Sequence, residues 1–124
     1  MLSDECYEVI GVCMKVHSRL GAGFHEAVYK DAMEIEFSQM EIPYARERNF
    51  QIVYEGEVLK HSFTVDFLVY DSLVVEIKAV SELIDIHKAQ TLNYLKATNA
   101  AVGLVINFGE LDLKFKRIIC SENM

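Results

Sequence analysis

The stretch Phe63-Thr-Val-Asp66-Phe-Leu-Val-Tyr70-Asp71-Ser-Leu73-Val-Val-Glu76-Ile-Lys78-Ala-Val80 reads as two apolar strands joined by a short turn. Three charged residues, Asp66, Glu76 and Lys78, interrupt this core-like sequence. Ionised side chains enter a core only when paired or bound to a cation, because the lost hydration must be replaced. Glu76 and Lys78 are two apart on one strand. They therefore share a face, roughly 6.6 Å apart at about 3.3 Å per residue. Where Asp66 points depends on the turn. A two-residue turn at Asp71-Ser72 pairs Tyr70 with Leu73 and turns Asp66 away, opposite Ile77. A three-residue loop, Asp71 to Leu73, pairs Tyr70 with Val74 and sets Asp66 opposite Lys78 on the shared face; a bulge has the same effect. Two carboxylates on adjacent strands make a hard oxygen site suited to Mg2+, with Lys78 beside it. A cross-strand ladder of Asp, Glu and Lys is the other reading that the strand pattern permits.

Upstream, Arg46 to Tyr54 alternates, Glu55-Gly56 signals a hairpin turn, and the partner strand begins near Glu57. Its odd positions, Leu59 to Val69, predict one apolar face, and its even positions predict a mixed one. Before Pro43, two helices are expected. Residues 4–20 carry Cys6, Val9, Ile10, Cys13, Val16, His17 and Leu20 at helical spacing, with Ser3 or Asp4 as cap and Gly21 as stop. His17 near that end reads as a partly covered helix-end histidine. Phe24 to Met40 follows, with Phe24, Val28, Ala32, Ile35 and Gln39 on one stripe. Glu26 in its first turn suits the helix dipole.

Downstream, Leu73 to Val80 is a third strand. A helix from Ile84 to Ala97, capped by Ser81 or Asp85, places His87, Gln90 and Tyr94 on one face. Strands at Ala101–Asn107 and Lys114–Ile119 close the chain. A three-strand meander followed by a helical crossover predicts an α/β fold of α+β character, with a mixed sheet of about five strands flanked by helices.

The more specific sequence features are Gly21-x-Gly23-Phe24-x-Glu26-x-x-Tyr29, then Asp66 followed on the next strand by Glu76-x-Lys78. After them come Ala79-Val-Ser-Glu-Leu83, His87-x-x-Gln90-x-x-Asn93-Tyr94-Leu95 and Ile106-Asn107-Phe108-Gly109. In this order, over residues 4–119, they resemble the GxxExxY family, a small branch of the PD-(D/E)XK nuclease superfamily. Val65 stands where the superfamily loosely keeps Pro, and Thr64 where family members often carry a basic residue. The resemblance implies a restriction-endonuclease-like core and a nuclease hydrolysing phosphodiester bonds with Mg2+ or Mn2+. Asp66 and Glu76 would then ligate the metal, and Glu26 would join them directly or through water. Lys78 would be the catalytic lysine, and Gln90 and Tyr94 would hold phosphate or the metal water. His87 reads as a neutral hydrogen-bonding group rather than a general base. Phe24 and Tyr29 read as core aromatics.

The 124 residues are one domain's worth, 52% apolar and 25% charged, without repeats or low-complexity tracts. No apolar run reaches the roughly 18 residues of a membrane span, and the acidic N-terminus does not look like a secretion signal. A cytoplasmic protein is the expectation, with Cys6, Cys13 and Cys120 as buried free thiols. The net charge of −7 runs against the basic face that nucleic-acid binders usually show. It favours the alternative of a catalytically inactive nuclease-fold module that binds nucleic acid or a protein. A homodimer would supply a second wall to a groove.

Overall fold

A computed structural model describes residues 2–124. Helices α1 (Ser3–Leu20) and α2 (Glu26–Gln39) precede strands β1 (Tyr44–Tyr54), β2 (Glu57–Val69) and β3 (Leu73–Lys78). Helix α3 (Asp85–Thr98) leads to β4 (Val102–Asn107) and β5 (Lys114–Ile119), and a 3-10 turn at Ser121–Asn123 follows. The strands form one mixed sheet in the order β1-β2-β3-β4-β5. Only β3 and β4 run parallel, because the chain between them crosses over through α3. Helices α1 and α2 cover one face, where Val9, Cys13, Tyr29, Met33 and Phe37 meet Phe67, Val75, Ile77, Leu104 and Ile106. On the other face Leu95 of α3 meets Val65, Val74 and Leu68. Strand β4, with both faces covered, is buried at every residue. The three cysteines are free and buried. Among the described residues no helix is long and apolar enough to cross a membrane.

The α2 stripe is a correction. Its buried line is Tyr29, Lys30, Met33 and Phe37. Phe24, Val28 and Ile35, on the predicted stripe, are exposed. Tyr29 sets the helix rotation. Its hydroxyl donates to Gly21 O at 2.6 Å and accepts from Phe24 N–H at 3.1 Å. Its ring stacks on Phe108 with centroids 4.5 Å apart. Once that ring is fixed inward, Met33 and Phe37 follow at four-residue spacing.

The caps differ as well. Helix α1 is preceded by Leu2 and α3 by Ile84, neither with a side-chain oxygen to offer. At α3 the cap is reversed: Ile84 N–H donates to His87 Nδ1 at 3.1 Å. Strand β3 stops at Lys78 rather than Val80, because the buried Asn107 side chain takes over Val80. Its Oδ1 accepts from Val80 N–H at 3.0 Å, and its Nδ2 donates to Val80 O at 2.9 Å. Gly109 sits against the same turn, where a Cβ would lie 2.3 Å from Val80 O.

The β1–β2 hairpin closes at Glu55-Gly56, both at positive φ, as the turn signal predicts. Its single apolar face does not persist. Phe67 and Val69 pack under α1 and α2, whereas Val65 and Phe63 pack with α3. Strand β1 changes sides in step: Arg46 reaches Asp31 and Glu34 of α2, and Phe50 stacks on Phe63. The reversal falls at Glu47 and Asp66, which drop out of an otherwise constant register between Arg46↔Phe67 and Arg48↔Val65. Glu47 takes φ 54° there.

Candidate active site

Strands β2 and β3 pair through Val69↔Leu73, Leu68↔Val74 and Phe67↔Val75. The connecting loop is thus three residues, Tyr70 to Ser72, one residue earlier than the Asp71–Leu73 loop expected. Tyr70 and Asp71 both turn at positive φ, and Tyr70 N–H donates to Pro43 O. Because the loop is odd, Asp66 avoids the position opposite Ile77. The same register, extended by one residue beyond Phe67↔Val75, sets it opposite Glu76, two residues short of the expected Lys78.

At that point the ladder gives way to carboxylates. Asp66 N–H donates to Glu76 Oε2 at 2.7 Å, and Ile77 N–H donates to Asp66 Oδ2 at 2.7 Å. Each acid accepts a backbone donor from the other strand, and both bonds are short. The second oxygen of Glu76 accepts nothing among the described residues.

Glu76 is 4% exposed. Burial first, and the Asp66 charge second, push its carboxyl up to about 8, against the pull of the Asp66 N–H, Lys78 and Lys30. Lys78 Nζ donates to Gln90 Oε1 at 3.1 Å, which ties β3 to α3. Tyr94 stacks on Phe63 with centroids 4.7 Å apart. Burial and then the charges of Glu76 and Asp66 raise its phenol, which lies within electrostatic reach of both carboxylates. Asp66, Glu76, Lys78, Gln90 and Tyr94 therefore come together.

Glu26 does not join them by contact. It opens α2, half-buried, and makes no side-chain hydrogen bond or ion pair among the described residues. Among the described residues no group of three or more His, Cys, Asp or Glu side chains converges to hold a metal ion. One turn further along the same helix face is Lys30, which the sequence reading did not single out. It is 9% exposed, and its Nζ donates to Asp66 Oδ1 at 3.1 Å and Glu47 Oε1 at 3.3 Å. Burial alone would lower its pKa, but the bonds and charges of Asp66 and Glu47 outweigh that and raise it. Lys30 is a charged member of the site. Its signal in the sequence was its place beside Tyr29 and four residues after Glu26.

The donor set fits a hard divalent ion. Mg2+ takes one or two protein carboxylates and completes its shell with water and phosphate oxygens. Asp66 and Glu76 are two carboxylates locked side by side, one with an uncommitted oxygen. The remaining motif residues are structural: Tyr29 pins the α1–α2 joint, Asn107 and Gly109 hold the turn after β3, and His87 caps α3.

The family model of the PD-(D/E)XK nuclease superfamily matches residues 3–118. Among solved structures, that of SSO0001 superposes with a TM-score of 0.56 at 20% identity, covering 75% of this chain and 48% of its own. The chain thus spans about half the length of that structure, which supports the fold alone. No curated protein matches.

Proposed function

This chain belongs to the PD-(D/E)XK nuclease superfamily, and we propose that it is a Mg2+- or Mn2+-dependent nuclease of the GxxExxY branch. One observation carries the reading: Asp66 and Glu76 cross-bond where β2 and β3 part, with Lys78 two residues along the same strand. Asp66 and Glu76 would hold the ion. When bound, it supplies positive charge against the scissile phosphate and activates water.

Every other role falls to the chain itself. The two backbone N–H bonds fix the carboxylates before substrate arrives, so little reorganisation is left for the reaction. Gln90 holds the Lys78 ammonium on the α3 side, where it neutralises charge growing at phosphorus. Tyr94, braced by Phe63, walls the carboxylates from solvent and offers a hydroxyl to a phosphate oxygen. Glu26 acts through water rather than as a direct ligand.

The net charge of −7 is unevenly spread. Residues 3–41 hold eight acids and three bases, a net −5, and the remainder holds 11 acids and nine bases, a net −2. The acidic excess thus lies mostly on the α1–α2 layer. On the opposite sheet face, Lys116 pairs across Val105 from Glu76, and Lys114 across Asn107 from Lys78. Both lysines are exposed, and Lys88 and Lys96 ride on α3. A polyanion approaching the carboxylates meets this face.

The test has two arms. Mn2+ or Mg2+ should raise the melting temperature of the wild type and leave Asp66→Asn unmoved. Cleavage of single-stranded, duplex or branched DNA or RNA should need the metal and fail in Lys78→Ala. The absence of any metal effect on the wild type would sink the site. Metal binding and substrate binding without cutting would leave an inactive nuclease-fold module.

A further inference from the structure

Resting on the metal reading above, we propose that Lys30 is a tethered cation in the place of a second divalent ion, so that the site takes one metal per chain. Asp66 has two oxygens with different surroundings. Oδ2 faces β3 and takes the Ile77 N–H; Oδ1 faces α2 and takes Lys30 Nζ at 3.1 Å. The same ammonium reaches Glu47 Oε1 at 3.3 Å.

Lys30 thus bridges two carboxylates from neighbouring strands, as a metal ion would. The backbone is arranged for this. Glu47 and Asp66 are the residues at which β1 and β2 reverse faces, and the positive φ of Glu47 sits at that reversal. Arg46 braces the adjoining turn of α2 through Asp31 and Glu34 at 2.6 and 2.7 Å. Its Nε lies 3.8 Å from Glu47 Oε1, at the edge of ion-pair range.

Charge counting points the same way. Once an ion has displaced the Glu76 proton, Asp66, Glu76 and Glu47 bring −3, and Lys30 and Lys78 bring +2. One divalent ion carries the sum to +1, ready for a phosphate. A second would carry it to +3 and would have to displace an ammonium already bonded to both of its ligands.

The experiment is calorimetric titration of the metal-free 124-residue chain with Mn2+, with circular dichroism as the check on folding. The wild type should bind one ion per chain. Lys30→Met keeps the unbranched stem, drops the ammonium and should bind two, the new one between Asp66 and Glu47. Adding Glu47→Gln to that variant should return it to one, and Lys30→Arg should stay at one. Should Lys30→Met not fold, Lys30→Gln serves in its place. Two ions in the wild type would overturn the proposal, as would one ion in Lys30→Met at an affinity within twofold of wild type. No ion in the wild type removes the metal reading itself, which is a different outcome from an unchanged Lys30 variant.

Discussion

Replacing Glu76 by Gln should make the metal-free protein more stable at alkaline pH, although it removes a site residue. Glu76 is almost wholly buried, and its carboxyl is raised from 4.5 to about 8. Between those values the folded chain holds a proton that the unfolded chain releases. The stability associated with Glu76 is therefore full below about pH 4.5, falls as pH rises through the window, and levels off above about 8. At about 1.4 kcal/mol per unit, the fall is at most on the order of 5 kcal/mol, and coupling to Asp66 spreads it over a broader range. Gln keeps an acceptor oxygen for the Asp66 N–H and carries no charge, so its profile lacks this fall. The assay is urea unfolding in EDTA at half-unit steps from pH 5 to 9. With m of roughly 1–3 kcal/mol per M, the variant midpoint should exceed wild type at pH 9 by about 1 M or more, and the gap should close toward pH 5. Titrating groups that do not interact with Glu76 cancel in the difference. Parallel profiles for the two proteins would show that Glu76 ionises freely in the fold and would refute this account of the site.

Adding Mg2+ should flatten the wild-type decline, because the ion displaces the Glu76 proton. Calorimetry in two buffers of different ionisation heat would register that proton release near pH 7. Asp66→Ala leaves Ile77 N–H unbonded and Lys30 with Glu47 alone; it should cost about 3 kcal/mol in EDTA, and Asp66→Asn clearly less, by urea midpoints. Gly109→Ala should be among the worst single-methyl additions, costing more than about 3 kcal/mol or misfolding, since the new Cβ would overlap Val80. Tyr29→Phe removes both hydroxyl bonds at the α1–α2 joint and should cost about 1–2 kcal/mol, with metal binding intact.

The strands and helices were legible because their periods are strong. The Glu55-Gly56 turn, the meander, the α3 crossover and the buried β4 run all follow from local pattern. The odd loop was required by chemistry before it was seen, because Asp66 and Glu76 cannot meet otherwise. Its register was not legible: whether Tyr70 ends the strand depends on Pro43 O, far away in sequence. Helix α2 carries two apolar stripes, and the Tyr29 hydroxyl bonds and its stack on Phe108 decide which one turns inward. Lys30 and Glu47 were invisible for a related reason. A lysine on a helix and a glutamate between two arginines read as solvated charges until tertiary structure joins them. Glu26 was singled out by motif, yet its side chain makes no hydrogen bond or ion pair among the described residues.

The reversal at Glu47 and Asp66 means that the hydrophobic phase of the hairpin slips by half a period at a node, and the node coincides with a site carboxylate. On the two sides of the node the apolar residues face opposite layers, Phe67 and Val69 toward α1 and α2, and Phe63 and Val65 toward α3. An insertion or deletion of one residue in either strand would throw one half of the hairpin out of phase with its partner. Compensation would need a matching change across the ladder. A redesign that restored one continuous apolar face from Leu59 to Val69 would straighten the strand, and in doing so would turn Asp66 away from Glu76.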